Sequence, residues 1–468
     1  MKIQFCGAAR TVTGSCYFLD TGKYKLLVDC GAFQGPYEVE KLNREKFPFD
    51  PAEIDYVFLT HSHFDHCGRL PVLIKQGFKG KIIATQPTRD IAQVILLDSA
   101  RIQEEDYRRY KERAAKRDSG DDDYFVPKPM YHKDDVNRTM EFFKVYAYGE
   151  SLELGDGLEF RMRDAGHILG SASFELWVKN AEGRARKFLF SGDLGQPGQR
   201  IIRDPDMVRE ADYVVVESTY GNRLHKSKDD TVLELLTILQ GAAKSKSKVI
   251  IPTFAVERAQ EILYELNLFY EKGLLDKNPV FLDSPMAIEA TKIFRQYPTF
   301  YDEDAKRLIE KGDDPFGFPE LQFTPTVDDS KRIVDAPAAI IMAGSGMCTG
   351  GRVLHHLKNN IEDSNNHVVF VGYQVKGTLG RRLVDREKTI RIHRKNLTVR
   401  AQVHTLGGFS AHADERDLRY WLRGLGHSPR TIFVTHGEEQ TALGFAANIR
   451  EELRVDTYVP NLGEVVEL

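Results

Sequence analysis

The chain has 468 residues, with 41% hydrophobic and 29% charged residues and a formal net charge of −4. That length gives room for roughly three ordinary domains and excludes a small disulfide-stapled scaffold. The mixed composition excludes extended disorder, and the near-neutral charge excludes a global basic field that draws the protein to nucleic acid. The five cysteines (Cys6, Cys16, Cys30, Cys67 and Cys348) form no C-x-x-C pair, which points to a reducing cytoplasm. The N-terminal stretch lacks the apolar core of a signal peptide, and no apolar run approaches the roughly 20 residues that span a bilayer.

In chain order, short β-rich runs recur at 25–31, 55–63, 187–193, 212–219, 248–254, 279–285, 338–346, 367–374 and 430–437. Many are separated by amphipathic stretches. Residues 231–243 bring Val232, Leu235, Leu236 and Leu239 to one face, and 257–270 do so with Ala259, Ile262, Leu263, Leu266 and Phe269. A helix is also predicted over Val353–Asn360. This alternation is an α/β pattern, in which function gathers at the ends of strands. Residues 101–120 and the acids Asp121–Asp123 read as a solvated helix and loop. Residues 381–400 carry eight Arg or Lys against two acids, a solvated strand pair or a phosphate-facing surface.

The densest chemical signal is His61-Ser-His63-Phe-Asp65-His66, directly after the apolar run Tyr56–Leu59. Side chains two apart in an extended segment point to one side, so His61, His63 and Asp65 converge while His66 turns away with the chain. Imidazole and carboxylate are donors that zinc accepts. Further donors end other strands: Asp29, His167, Asp193 and His436. Any one alone is an ordinary capping or buried polar residue. Together they suffice for two metals.

The H-x-H-x-D-H run, with Asp29, His167 and Asp193 in order, resembles the signature of the metallo-β-lactamase superfamily. Glu217 in VVVESTYGNR, His412 in GFSAHAD and His436 in VTHGE resemble the extra motifs of its β-CASP family, as do IPTFAVERAQE, LDSPMA, MAGSGMCTGGR and GYQVKGTLGRR. The resemblance spans essentially the whole chain. It implies an αββα sandwich of residues 1–221 and 408–468, interrupted by a Rossmann-like β-CASP domain at 222–407. It further implies one zinc on His61, His63 and His167, a second on Asp65, His66 and His436, Asp193 as bridge, and Asp29 orienting a ligand. The chemistry implied is hydrolysis of single-stranded RNA by a binuclear-zinc hydroxide, with His412 as general acid oriented by Glu217, leaving 5′-phosphate and 3′-hydroxyl ends.

Glycine-rich turns in the insert add an expected phosphate cradle at Ser345, Gly346, Gly351 and Arg352, and at Lys376, Thr378, Arg381 and Arg382, because backbone N–H groups at a helix start attract anions. Phe254 and Tyr373 are candidates for base stacking. The chain also resembles the catalytic endonuclease subunit of eukaryotic mRNA 3′-end processing and its bacterial and archaeal relatives. The chain shows neither an N-terminal KH-type extension nor a C-terminal partner-binding region, so a compact protein acting alone or as a small homo-oligomer is expected. Three readings compete: a 5′-exoribonuclease on the same site, a small-molecule metallo-hydrolase, and an RNA-binding scaffold without catalysis. The insert and the Glu217–His412 pair argue against the second, and the complete donor set against the third.

Overall fold

A computed structural model describes residues 1–114, 127–180, 182–275, 277–375, 377–425 and 429–468; Asp121–Asp123 and Lys376 lie outside them. The chain divides into two compact units. Residues 1–197, 204–223 and 412–468 form the first, and 198–203 with 224–411 form the second.

The chain begins in the first unit with β1 (Lys2–Phe5), β2 (Tyr17–Asp20), β3 (Lys25–Val28), β4 (Tyr56–Phe58), β5 (Lys81–Ala84) and β6 (Phe143–Val145). It continues with β7 (Ser151–Gly155), β8 (Leu158–Asp164), β9 (Ala172–Lys179), β10 (Ala185–Phe190) and β11 (Tyr213–Glu217). The second unit holds β12 (Lys248–Pro252), β13 (Val280–Asp283), β14 (Leu321–Phe323), β15 (Ala339–Ala343), β16 (His367–Phe370), β17 (Thr389–Ile392), β18 (Lys395–Thr398) and β19 (Gln402–Thr405). The chain then returns to the first unit for β20 (Thr431–Thr435), β21 (Asp456–Tyr458) and β22 (Val465–Glu467).

Two seven-stranded sheets, ordered β22-β1-β2-β3-β4-β5-β6 and β21-β20-β11-β10-β9-β8-β7, make the first unit. Their period-2 patterning explains the sandwich. In β8, Leu158, Phe160 and Met162 are buried while Glu159, Arg161 and Arg163 lie on the other face. Those inward residues meet Phe5, Val28 and Phe58 of the first sheet, and Phe174, Phe190 and Phe433 complete the shared core. Each such side chain contributes roughly 1.5–3 kcal/mol by leaving water. The outer side of the second sheet, with Val214, Val216, Ile432 and Val434, is covered by Leu418 and Trp421 of the helix Glu415–Arg423 and Phe445 and Ile449 of the helix Glu439–Leu453. On the first sheet, the helix Gln86–Ala114 packs beside β6. The result is the expected αββα sandwich.

In the second unit, strands β14-β13-β15-β12-β16-β19 form one parallel sheet. The helix Arg258–Glu271 carries β12 to β13 on one side, and Val353–Asn360 carries β15 to β16 on the other. The carboxyl ends of the adjacent β12 and β15 therefore flank a point where successive connections diverge, the favoured ligand crevice of an open α/β sheet. The separate β17–β18 hairpin tucks Ile390, Ile392 and Leu397 into this unit's core beside Leu383 and Val403.

Every apolar run predicted as β-rich overlaps one of these strands, and both amphipathic stretches are helices, Lys228–Lys244 and Arg258–Glu271. Among the described residues no helix is long and apolar enough to cross a membrane.

Candidate metal centre

The centre assembles at strand ends of the first unit. Beyond β4 the chain runs extended through His61 and His63, then turns into the short helix Phe64–Cys67, which carries Asp65 and His66. His61 Nε2 and His63 Nδ1 lie 3.1 Å apart. Asp29, just past β3, occupies the left-handed region at φ 60°. It accepts hydrogen bonds from the Thr60 N–H (2.8 Å) and hydroxyl (2.9 Å) and from the Ser15 hydroxyl (3.0 Å). Its other contact is His66 Nδ1 at 2.7 Å. Asp29 thus orients the His66 ring and turns its Nε2 inward. The Thr60 hydroxyl does the same for His61, 3.1 Å from Nδ1.

Three more loops complete the cluster. His167, between β8 and β9, sits 3.2 Å from His63 Nδ1 through its Nε2. Asp193 follows β10 after Gly192, whose φ of +60° turns the chain. His436 follows β20, donates its N–H to the Ala8 carbonyl (2.7 Å), and brings Nε2 to 3.2 Å from His66 Nε2. Asp193 Oδ2 faces His61 (3.5 Å), His66 (3.4 Å) and His167 (3.6 Å), while Oδ1 faces His436 Nδ1 at 3.6 Å. The donors resolve into His61, His63, His167 and Asp193; Asp65, His66 and His436; and Asp193, Glu217 and His436.

These residues fit a metal. Two nitrogens bound tetrahedrally to one zinc at ~2.05 Å lie about 3.3 Å apart, close to the His–His separations present. Asp193 Oδ1 is buried without a hydrogen-bond partner among the described residues, an arrangement that favours a cation. Burial pushes the His61 and His63 imidazoles down, His63 to about 4, so both are neutral at physiological pH, the form that can bind a metal. Burial would raise Asp193, but the charges of His436, His66 and His61 outweigh it and hold the carboxyl well below its usual range.

Beside the cluster, His412 Nδ1 lies 3.1 Å from Glu217 Oε1. That oxygen also accepts the Leu194 N–H at 2.7 Å, which ties the dyad to the Asp193 loop. Ala413 N–H donates to the Leu194 carbonyl (2.7 Å), and Gly195 bridges His412 in antiparallel fashion. Burial would lower the His412 imidazole; the Glu217 charge and hydrogen bond, with Asp193 and Asp65, reverse this and raise it to about 9. The His412 side chain is 21% exposed, whereas those of His61 and His167 are fully buried. It is therefore a protonated, reachable acid beside a buried donor cluster.

Close approach explains Gly195. A Cβ there would lie 1.6 Å from the Gly166 carbonyl oxygen, one residue before His167. Gly195→Ala should cost about 1–3 kcal/mol and lower the bound metal per chain. Thermal melts and elemental analysis of the purified variant check this.

The expected phosphate residues belong to the second unit. The Ser345 hydroxyl accepts the Thr349 N–H (3.0 Å) and shapes its own loop. Gly346 lies against the Phe254 ring, where a Cβ would come within 2.7 Å, and Gly351 sits at φ +77°. Arg352 donates to Asp283 (2.7 Å) and to the carbonyls of Thr324 and Pro325. Thr378 caps the helix Leu379–Val384, while Arg381 pairs with Asp385 and Arg382 with Glu387. The structure thus gathers Ser345, Gly346 and Gly351 at the end of β15, and gives the three arginines carboxylate partners. Sequence reasoning missed Ser15, Thr60 and Thr219, whose hydroxyl is 3.2 Å from His436 Nδ1. Thr60 and Thr219 adjoin motif residues and were findable; Ser15 carried no local signal.

Comparison with known proteins places the chain in a family. Three family profiles match: the metallo-beta-lactamase superfamily over residues 9–253, the Beta-Casp domain over 259–383, and the Zn-dependent metallo-hydrolase RNA specificity domain over 396–460. The chain is 39% identical to Ribonuclease TTHA0252 of Thermus thermophilus, over 95% of this chain and 94% of that protein. It is 30% identical to an RNase J-like protein of Methanocaldococcus jannaschii, over 100% and 99%. It is 31% identical to the transcription termination factor FttA of the same organism, over 98% and 70%. A solved structure of a protein of unknown function from Enterococcus faecalis shares the fold, with a TM-score of 0.55 at 13% identity over 100% of this chain and 99% of that one. The chain belongs to the metallo-β-lactamase superfamily and, within it, to the β-CASP family of metal-dependent hydrolases that act on RNA.

Proposed function

We propose that the chain is a zinc-dependent endoribonuclease that hydrolyses phosphodiester bonds of single-stranded RNA, leaving 5′-phosphate and 3′-hydroxyl ends. One observation carries the reading: a donor cluster able to hold metal stands beside a histidine whose Nδ1 is held by Glu217. Two zinc ions, when bound, supply Lewis acidity that lowers the pKa of water and polarises phosphoryl oxygens. His61, His63 and His167 would hold one ion, Asp65, His66 and His436 the other, with Asp193 shared.

The chain's own residues supply the rest. Hydrolysis builds negative charge on the departing 3′-oxygen, which needs a proton. His412 delivers it from Nε2, because Nδ1 is engaged by Glu217. Glu217 fixes the ring and keeps it charged until transfer. We further propose that the Ser345–Gly351 loop, at the end of β15, binds RNA phosphates. The five buried, free cysteines suit a reducing cytoplasm.

The test is incubation of 5′-labelled single-stranded RNA, and its DNA counterpart, with and without chelator. Internal RNA fragments that disappear with chelator support the proposal. Mononucleotides alone would assign a 5′-exoribonuclease to the same site. No cleavage by protein holding two zinc ions would overturn the nuclease reading.

A further inference from the structure

The basic stretch flagged in the sequence takes no part in the metal centre, and in the structure it becomes a defined surface. Residues 386–400 carry Arg386, Lys388, Arg391, Arg394, Lys395 and Arg400 against the single acid Glu387. All six cations are exposed. Neighbouring acids are already engaged: Asp385 by Arg381, Glu387 by Arg382, and Glu362 by the Thr398 N–H at 3.1 Å. Among the described residues none of the six forms an ion pair. The surface is also fixed to the fold, because Ile390, Ile392 and Leu397 bury its inner side in the core.

The turn of the hairpin adds an independent observation. β17 and β18 are joined by His393 and Arg394, with φ of 48° and 66°. Two positive φ values define the tight hairpin turn that Asn-Gly occupies at least cost. Here the strained positions hold two long basic or titratable side chains instead. Strain of this kind persists where the side chain has a use. The His393 ring also lies beside that of His355, centroids 5.0 Å apart, and both residues are exposed. Cations with adjacent ring faces are the elements that bind a single-stranded polynucleotide.

We propose that the β17–β18 hairpin is a docking surface for the sugar–phosphate backbone of single-stranded RNA. The proposal rests on the ribonuclease reading, since a polyanionic substrate is what makes this charge complementary. The surface holds strands of any sequence, because its cations meet phosphates rather than base edges.

The test measures binding of a labelled single-stranded RNA by anisotropy across salt concentrations, in a His412→Ala background so that the RNA stays intact. Each single-strand phosphate neutralised contributes roughly −0.7 to the slope of log affinity against log salt. The combined variant Arg391→Gln, Arg394→Gln and Lys395→Gln should flatten that slope by about 2, and the three Arg/Lys exchanges that keep charge should restore it. His393→Asn with Arg394→Gly should melt at or above the parent temperature yet bind RNA more weakly, a split that a purely structural turn would not give. Unchanged affinity and slope in the Gln variant would overturn the proposal. So would hairpin-dependent binding to phosphatidylglycerol-containing vesicles without hairpin-dependent binding to RNA. Cleavage by the unsubstituted chain is measured in parallel. RNA cleavage with hairpin-independent binding defeats this inference alone, and hairpin-dependent binding without cleavage defeats the nuclease reading alone.

Discussion

His412→Ala should lower kcat for RNA cleavage by about 10²–10⁴-fold, the usual worth of a positioned general acid, while leaving the bound metal unchanged. The expectation follows from geometry. His412 adjoins the donor cluster but lies outside each donor group, and Glu217 is its nearest carboxylate, at 3.1 Å. Glu217→Gln separates the carboxylate's two effects. The neutral amide still occupies the space and still accepts a hydrogen bond, yet it no longer opposes the burial that pulls the imidazole down. A histidine raised to about 9 is protonated below that pH and loses its proton above it. The variant should therefore move the alkaline limb of the pH–rate profile to lower pH. An unmoved limb, or loss of metal in His412→Ala, would mean that the dyad serves the metal rather than the leaving oxygen.

Asp193→Ala should be at least as damaging, and for a different reason. Asp193 belongs to two donor groups, and its two oxygens lie within 3.6 Å of four histidines of the cluster, His61, His66, His167 and His436. Without it, the rings retain their places but lose the charge that balances a cation. Removing even an outer partner of a metal ligand commonly costs about 10–100-fold in metal affinity, so losing a shared donor should exceed about 100-fold. The metal content per chain should fall, and cleavage with it. Zinc should also raise the melting temperature of the parent far more than that of the variant, because a ligand stabilises only what it binds. Parent-like metal content and cleavage would contradict the role of Asp193 as the shared donor.

Much of this centre was legible in the sequence because its chemistry is local. His61, His63, Asp65 and His66 lie in one short run, Asp29, Asp193 and His436 each follow an apolar strand, and His167 stands between two glycine turns after β8. The strands themselves were legible where four or five apolar residues follow one another, as in β11 or β15. β7 and β17 were not, since alternate residues face solvent and leave too few apolar positions to stand out. In the helix Lys228–Lys244 the periodicity identified the element but placed its buried face slightly off, with Thr231, Ile238 and Ala242 joining Leu235 and Leu239. Long-range pairings left no local trace. Ser15 reaches Asp29, and Asp283 takes up Arg352 and also accepts from His356 Nε2 (2.6 Å), through contacts that only the folded chain creates.

The way the first unit is threaded has a consequence for the protein's own synthesis. β22 pairs with β1, and β20 slots between β11 and β21, so both sheets wait for the end of the chain. His412 and His436 arrive only with that last segment. A growing chain that has emerged as far as Asp193 carries most of the donors, but neither His412 nor His436. Translation proceeds from the N-terminus at roughly 5–20 residues per second, and throughout that interval the chain is attached to a message of the same chemical class as its substrate. The donor cluster and the His412–Glu217 pair are therefore completed only once residues 412–436 have been made.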